Sequence, residues 1–268
     1  YKLLKKIGRL DILKDLKKVD INLHVVNKLL IEKETPISLE LEEKEKPIGF
    51  RKLKESDYIT SRGIGNFVFD LYDIGYTKIE SKLDNFIIIL LKLESKIIGW
   101  IARTTYSNDR IKKIEQLTEK KYYRYINSPD TDFSKYLFGI NELTEKTVTV
   151  ILVEGIFDKW KIDTLLELYN QEELKCLACF GKKISDHQIH LLQSKNIKNV
   201  ILLYDNDAVN QSKKYSNELN KYFNVEVAFC KKGDPNEMNL EELLETLSNT
   251  YNPIEFNLTF VTKKKLER

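Results

Sequence analysis

VTVILVEG (148–155) and NVILLYDND (199–207) are the stretches that decide the fold of this chain. Each is a run of apolar, largely β-branched residues leading into a turn with carboxylates, which predicts Glu154, Asp205 and Asp207 at the ends of buried strands. The carboxyl edge of a parallel sheet is where open α/β folds bind ligands. Mg²⁺ is held in such sites by one or two carboxylates together with substrate phosphates. The two turns therefore predict a divalent-metal site for phosphoryl transfer.

Around these turns, strand-like and helix-like segments alternate from about residue 146 to 235. The strand-like runs are VTVILV (148–153), KCLACF (175–180), NVILLY (199–204) and VEVAFC (225–230). A Ser185–Gln188 capping box opens one of the intervening helices. Repeated βα units imply a parallel sheet covered by helices. A later GDPNE turn (233–237) adds Asp234 to the acidic residues.

The preceding segment, from 48 to 145, predicts a mixed α+β unit. FIIILLKL (86–93) and KIIGWIART (96–104) are predicted strands, and Gly99 indicates close approach of another backbone. A basic stretch containing interleaved tyrosines follows as a predicted loop, and then a YINSPDT turn (125–131). Cations and aromatic rings together suit single-stranded nucleic acid. A solvated, flexible loop is the alternative.

Four segments result from this division of the chain. We predict a helical or linker segment (1–47), a basic N-terminal subdomain for template and nucleotide binding (48–145), a metal-binding subdomain (146–237) and a C-terminal helical segment (238–268). The EEKEKP stretch ends the first segment because an acid/base run closed by proline cannot continue a helix.

Composition excludes several classes of protein. The chain has 268 residues and a net charge of only +3, so it is not a polycation, and no apolar run is long enough to span a bilayer. Cys176 and Cys179 form a single C-x-x-C, whereas a zinc ribbon needs a second pair. We therefore interpret this pair as part of a buried strand.

The ordered motifs resemble a known family. VEGIFD (153–158), LACFG (177–181), LLYDND (202–207) and GDPNE together resemble a Toprim domain, the metal-binding fold of bacterial-type primases, topoisomerases and some nucleases. The upstream half separates these branches, because it resembles the catalytic core of bacterial and phage DNA primases. The motifs that carry this second resemblance are SRGI (61–64), GY (75–76), IIGWIAR (97–103), RYINSPDT (124–131) and FSKYLFGINE (133–142).

This resemblance implies a DNA primase, an enzyme that makes short RNA primers on single-stranded DNA by metal-dependent nucleotidyl transfer. It implies Mg²⁺ or Mn²⁺ held by acidic residues, a catalytic lysine, and polar or basic residues that hold nucleotide and template. The implied metal ligands are Glu154, Asp205, Asp207 and Asp234, with Asp158 supporting them and Glu154 alternatively acting as the base. The implied nucleotide and template residues are Arg103, Arg124, Tyr125, Asn127 and Lys135, of which Lys135 is also implied to be catalytic.

Two of the departures from the family pattern fall on residues of the predicted site. Arg124 stands where the family usually has lysine, which keeps the charge but changes the donor geometry. Asn236 replaces the second aspartate of a DPD turn, so we leave it out of the predicted ligand set. The alternative for Tyr125 is a place in the core, and the alternative for Arg103 is a plain surface position.

The resemblance also implies partners and a setting. The partners are single-stranded DNA, ribonucleoside triphosphates, an RNA primer/DNA hybrid and a replicative helicase, in the cytoplasm of a bacterial or phage-infected cell. Zinc is expected only if a zinc-binding domain precedes this chain; such a domain and a helicase domain either lie outside this fragment or act in trans. The alternatives are a Toprim nuclease or other DNA strand-processing enzyme, and a non-catalytic nucleic-acid-binding subunit.

Overall fold

The structure is a computed structural model that describes residues 42–231 and 233–260. Most of the predicted segment 1–47, and the last eight residues of the predicted C-terminal segment, lie outside the described residues. The strands are β1 (Arg51–Lys52), β2 (Ile74–Tyr76), β3 (Phe86–Leu93), β4 (Lys96–Thr104), β5 (Tyr125–Asn127), β6 (Thr149–Val153), β7 (Leu174–Ala178), β8 (Asn199–Leu202) and β9 (Asn224–Val227).

The helices connect some of these strands and follow the last one. They are α1 (Asp57–Thr60), α2 (Phe67–Leu71), α3 (Asn108–Thr118), α4 (Ile156–Leu165), α5 (Asp186–Gln193), α6 (Val209–Leu219), α7 (Leu240–Ser248) and α8 (Pro253–Thr259). Within the residues that the structure describes, none of the helices has the length and apolar character that crossing a bilayer requires.

The first sheet is antiparallel, with strand order β1-β2-β3-β4-β5. Its centre is the β3–β4 hairpin, whose bounds match the predicted strands. The two connecting residues, Glu94 and Ser95, have φ angles of 50° and 77°. Positive φ at both positions is typical of a type I′ turn, which matches the natural twist of two paired strands. The predicted hairpin is therefore confirmed.

The loop after β5 packs on the hairpin where Gly99 leaves room for it. A Cβ atom at Gly99 would lie 2.7 Å from the hydroxyl oxygens of both Ser128 and Thr131. The Ser128 hydroxyl also accepts a hydrogen bond of 2.9 Å from the Trp100 amide. The close neighbours of Gly99 are thus side chains, and the prediction of another backbone was wrong. The YINSPDT stretch is also not purely a turn, because its first three residues form edge strand β5.

The predicted basic loop between β4 and β5 contains a helix instead. Helix α3 begins after Ser107, whose hydroxyl accepts a hydrogen bond from the Arg110 amide, and ends at Glu119 in a left-handed conformation. Only Ile111 of this helix is buried. The spacing of Ile111, Ile114 and Leu117 and the N-cap serine were the available signals of a helix.

The second sheet is parallel, with strand order β7-β6-β8-β9, and confirms the predicted βα alternation. Helix α4 contacts β7, and α6 contacts β8 and β9. The predicted Ser185–Gln188 capping box opens α5. Cys176 in β7 and Cys179 just beyond it are buried, as the buried-strand interpretation requires. The predicted fold class, a helix-flanked parallel sheet preceded by a mixed α+β unit, is confirmed.

A buried polar network connects α4 to the antiparallel unit. The ammonium of Lys159, fully buried, lies 2.5 Å from Asp163 and 3.0 Å from Glu142. The Tyr72 hydroxyl, just before β2, donates a hydrogen bond to Glu142. Since α4 starts directly after the Glu154 turn, this network helps to set the position of that turn relative to the first sheet.

Candidate active site

Three carboxylates meet at one edge of the parallel sheet. Glu154 follows β6, and Asp205 and Asp207 follow β8, the strand hydrogen-bonded beside it. Because neighbouring parallel strands end at the same edge, the two turns lie together, and the Asp205 amide donates a hydrogen bond of 3.2 Å to the Glu154 carboxylate. Ligand oxygens of Glu154, Asp205 and Asp207 all lie within 4.8 Å of one another. That spacing allows a divalent cation to contact them together.

Two further acidic residues approach the same edge. The carbonyl oxygen of Gly233 accepts a hydrogen bond of 3.2 Å from the Asn206 amide, which ties the GDPNE turn to the turn after β8 and brings in Asp234. Asp158, in the first turn of α4, accepts a hydrogen bond of 3.0 Å from the Gly155 amide. Its carboxylate is therefore held as a helix cap while it also lines the acidic site.

Crowding of these acids makes them hard to ionise together. Burial, and then the charge of Asp205, raises the pKa of Glu154 to about 7. Burial, and then the charge of Asp234, raises the pKa of Asp205 to about 6. Burial raises the pKa of Asp158 well above its usual range, with Asp205 and Asp234 adding to the effect. A bound cation would oppose all three shifts.

Unpartnered oxygen atoms show that the site fits a hard metal ion. Among the described residues, no group donates a hydrogen bond to the buried Oδ1 atoms of Asp205, Asp234 and Asn236. Buried acceptors without a donor are costly, and oxygen atoms are the ligands that Mg²⁺ prefers. Asn236, left out of the predicted ligand set, thus brings an oxygen into the same cavity.

A cavity of about 520 Å³ lies between this acidic edge and the antiparallel sheet. Of the predicted residues, those that line it are Arg103, Tyr125, Asn127, Glu154, Asp158, Asp205 and Asp234. Arg103 donates a hydrogen bond of 3.1 Å from Nε to the Tyr58 hydroxyl, and its guanidinium carbon lies 4.4 Å from the centre of the Tyr125 ring. Tyr125 is 49% exposed, so it does not belong to the core.

Arg62 is a cavity residue that sequence reasoning missed. Its guanidinium donates a hydrogen bond of 3.1 Å to the same Tyr58 hydroxyl, so one phenol oxygen holds both Arg62 and Arg103. The SRGI motif, which contains Arg62, was the available signal. Phe133 and Phe180 also line the cavity and were not predicted; the centres of their rings lie 5.3 Å apart.

Three predicted residues are absent from the described lining of this cavity. Asp207 lies next to the cavity, because one of its carboxylate oxygens is within 4.8 Å of oxygens of Glu154 and Asp205, and its side chain is 70% exposed. Arg124 is exposed, and its carbonyl oxygen accepts a hydrogen bond of 3.0 Å from the Thr104 amide. Lys135 ends a short 3-10 turn (Phe133–Lys135) and is half-buried.

Comparison with known proteins finds structural similarity. No family model and no curated protein sequence matches the chain. A chain from the structure in which bacteriophage T7 lagging-strand DNA polymerase interacts with primase domains of two gp4 subunits, bound to an RNA/DNA hybrid and dTTP, is 18% identical. That match covers 76% of this chain and 94% of the other, with a TM-score of 0.49. The primase fragment of the bacteriophage T7 primase-helicase protein is 17% identical over 75% of this chain and 83% of the fragment, with a TM-score of 0.48.

Proposed function

We propose that this chain is the catalytic core of a DNA primase, which joins ribonucleotides into short RNA primers on single-stranded DNA. The observation that carries the proposal is that the acidic edge of one sheet lines a single cavity together with Arg103 on a strand of the other sheet and Arg62 from the turn after α1. A polymerising site needs both walls, since acids hold divalent ions and cations with aromatic rings hold phosphates and bases. The ordered primase-like motifs support the same activity.

The acidic wall is the proposed metal site. Glu154, Asp205, Asp207 and Asp234 would hold Mg²⁺ or Mn²⁺, which neutralises charge at the reacting phosphate when bound. Glu154 either joins the ligands or accepts the proton of the attacking 3′-hydroxyl. Asp158 keeps the first turn of α4, and with it the Glu154 turn, in place through its bond to the Gly155 amide.

The opposite wall is the proposed nucleotide and template surface. Arg62 and Arg103 supply fixed guanidinium groups for phosphates, because the Tyr58 hydroxyl restrains both of them. Tyr125 and Asn127, which line the cavity, would contact a base or ribose. Arg124 and Lys135, outside the lining, are proposed to contact the template backbone beyond the reacting centre, although the motif resemblance implied that Lys135 is catalytic.

The wider assignment follows from the resemblance. We propose that residues 48–145 bind template and nucleotide and that 146–237 bind metal. The proposed partners are single-stranded DNA, ribonucleoside triphosphates, the RNA primer/DNA hybrid and a replicative helicase.

Primer synthesis on single-stranded templates with ribonucleotides and Mg²⁺ or Mn²⁺ tests the proposal. We expect wild type to make oligoribonucleotides and Asp205→Ala to lose at least about 100-fold in rate, as removal of a group that stabilises charge in the transition state commonly does. The matched control is Asp84→Ala, an exposed aspartate outside the cavity, which should retain activity. Template degradation without primer synthesis would instead identify a nuclease. Unchanged activity of Asp205→Ala would refute the site assignment.

A further inference from the structure

One cation of the chain already lies within the acidic cluster. The ammonium of Lys182, a residue that the sequence motifs did not single out, is 2.5 Å from the Asp207 carboxylate. The side chain of Lys182 is 34% exposed, and its charge opposes the rise in pKa of both Glu154 and Asp205. Lys182 is thus an internal counter-ion of the site.

Its backbone is held close to the cluster as well. Lys182 follows Gly181, whose amide donates a hydrogen bond of 2.9 Å to the carbonyl oxygen of Glu154. Gly181 has a φ of 133°, in the region that favours glycine, and this conformation turns the chain after β7 back along the end of β6. The loop after β7 therefore holds the Lys182 backbone near the cluster, which limits how far the ammonium can move away from it.

Lys182 divides the carboxylates into two groups. Asp207 has a cationic partner, whereas the Oδ1 atoms of Asp205 and Asp234 have no hydrogen-bond donor among the described residues. A divalent ion at Asp207 would have to displace the ammonium and then remain beside its charge. An ion held by Asp205 and Asp234 meets oxygens without a donor and does not have to displace the ammonium, so the repulsion that it meets is weaker.

We propose that Lys182 takes the place of a second divalent ion, so that the cluster binds one ion, through Glu154, Asp205 and Asp234. The inference rests on the proposed function of this site. In a two-ion site the second metal ion would supply positive charge at Asp207, and here the Lys182 ammonium supplies it. Asp207 is thereby removed from the set of proposed metal ligands.

Titration with Mn²⁺ in the absence of nucleotide and DNA tests the inference, with calorimetry and the loss of the free Mn²⁺ electron paramagnetic resonance signal as readouts. We expect one ion per wild-type chain. At Mn²⁺ concentrations where the wild type binds one ion, Lys182→Met, which keeps most of the side-chain stem, should bind two, with an affinity for the second ion at least about tenfold above that of the wild type. Lys182→Arg, which keeps the charge, should bind one. Lys183→Met removes the exposed neighbouring lysine and should also bind one.

Two ions bound by wild type would overturn the inference, as would a single ion or none bound by Lys182→Met. Because no substrate is present, these outcomes do not depend on primer synthesis. Failure of the primase assay with one ion bound would refute the proposed activity and leave the role of Lys182 standing.

Discussion

Replacing Lys159 with methionine is expected to lower the free energy of unfolding by about 3–5 kcal/mol, the usual effect of removing one partner from a buried ion pair. Lys159 is fully buried between Asp163, which is 2% exposed, and Glu142. Methionine fills a similar volume, so the loss comes from charge and hydrogen bonding rather than from a cavity. It leaves Asp163 without its cation in a place where water cannot replace it.

The size of the effect follows from how many groups depend on Lys159. Asp163 has one oxygen bonded to the ammonium and another, Oδ1, without a partner among the described residues. Glu142 keeps one donor, the Tyr72 hydroxyl, after the substitution. Most of the penalty therefore falls on Asp163, and typical domain stabilities of about 5–15 kcal/mol mean that a large part of the total is at stake.

Urea unfolding followed by circular dichroism measures this loss. The double variant Lys159→Met/Asp163→Leu, which removes both charges and fills the space, should recover at least about half of it, since apolar replacement of a buried pair is often close to neutral. Lys112→Met, an exposed lysine on helix α3, is the control and should change stability by less than about 0.5 kcal/mol. A loss below about 1 kcal/mol for Lys159→Met, or no recovery in the double variant, would refute the reasoning.

Two further predictions concern the site. The pKa values of Glu154 and Asp205 are raised to about 7 and about 6, above 4.5 and 3.8 for the ordinary groups, so the folded protein binds protons more tightly than the unfolded chain between these limits. Without metal, the free energy of unfolding should therefore fall as pH rises from about 4 to about 7. Mg²⁺ should restore the lost stability, and increasingly so above about pH 6. Urea titrations across this window measure both effects, and stability that rose with pH in the absence of metal would contradict the assignment. Arg103→Lys keeps the charge but loses the hydrogen bond to Tyr58 and the planar contact with Tyr125, so binding of single-stranded DNA or nucleotide should weaken about tenfold in fluorescence anisotropy, the effect of one charge-assisted hydrogen bond. The same change at the exposed Arg51, on edge strand β1 and outside the cavity, should leave the affinity unaltered, and equal losses at both positions would argue against a specific role for Arg103.

Local patterns in the sequence predicted much of the fold. The β-branched runs before Glu154 and Asp205 specified parallel strands, and parallel strands end at a common edge, so the meeting of these carboxylates followed from the sequence. The β3–β4 hairpin was predicted with its observed bounds. Helix α3 was missed although Ile111, Ile114 and Leu117 recur at three-residue spacing, because the charged residues around them were interpreted as a loop.

The sequence by itself determined which strands carry the acids and which motifs accompany them. Only the tertiary structure decided which other side chains reach those acids. It brought Arg62 to the cavity and Lys182 to Asp207, and it left Arg124 and Lys135 outside the lining. The physical reason is that periodicity and turn chemistry act over a few residues, whereas these contacts join segments 25 to about 100 positions apart. Lys182 reaches Asp207 between loops of one sheet, and Arg62 reaches the cavity through the packing of the two sheets.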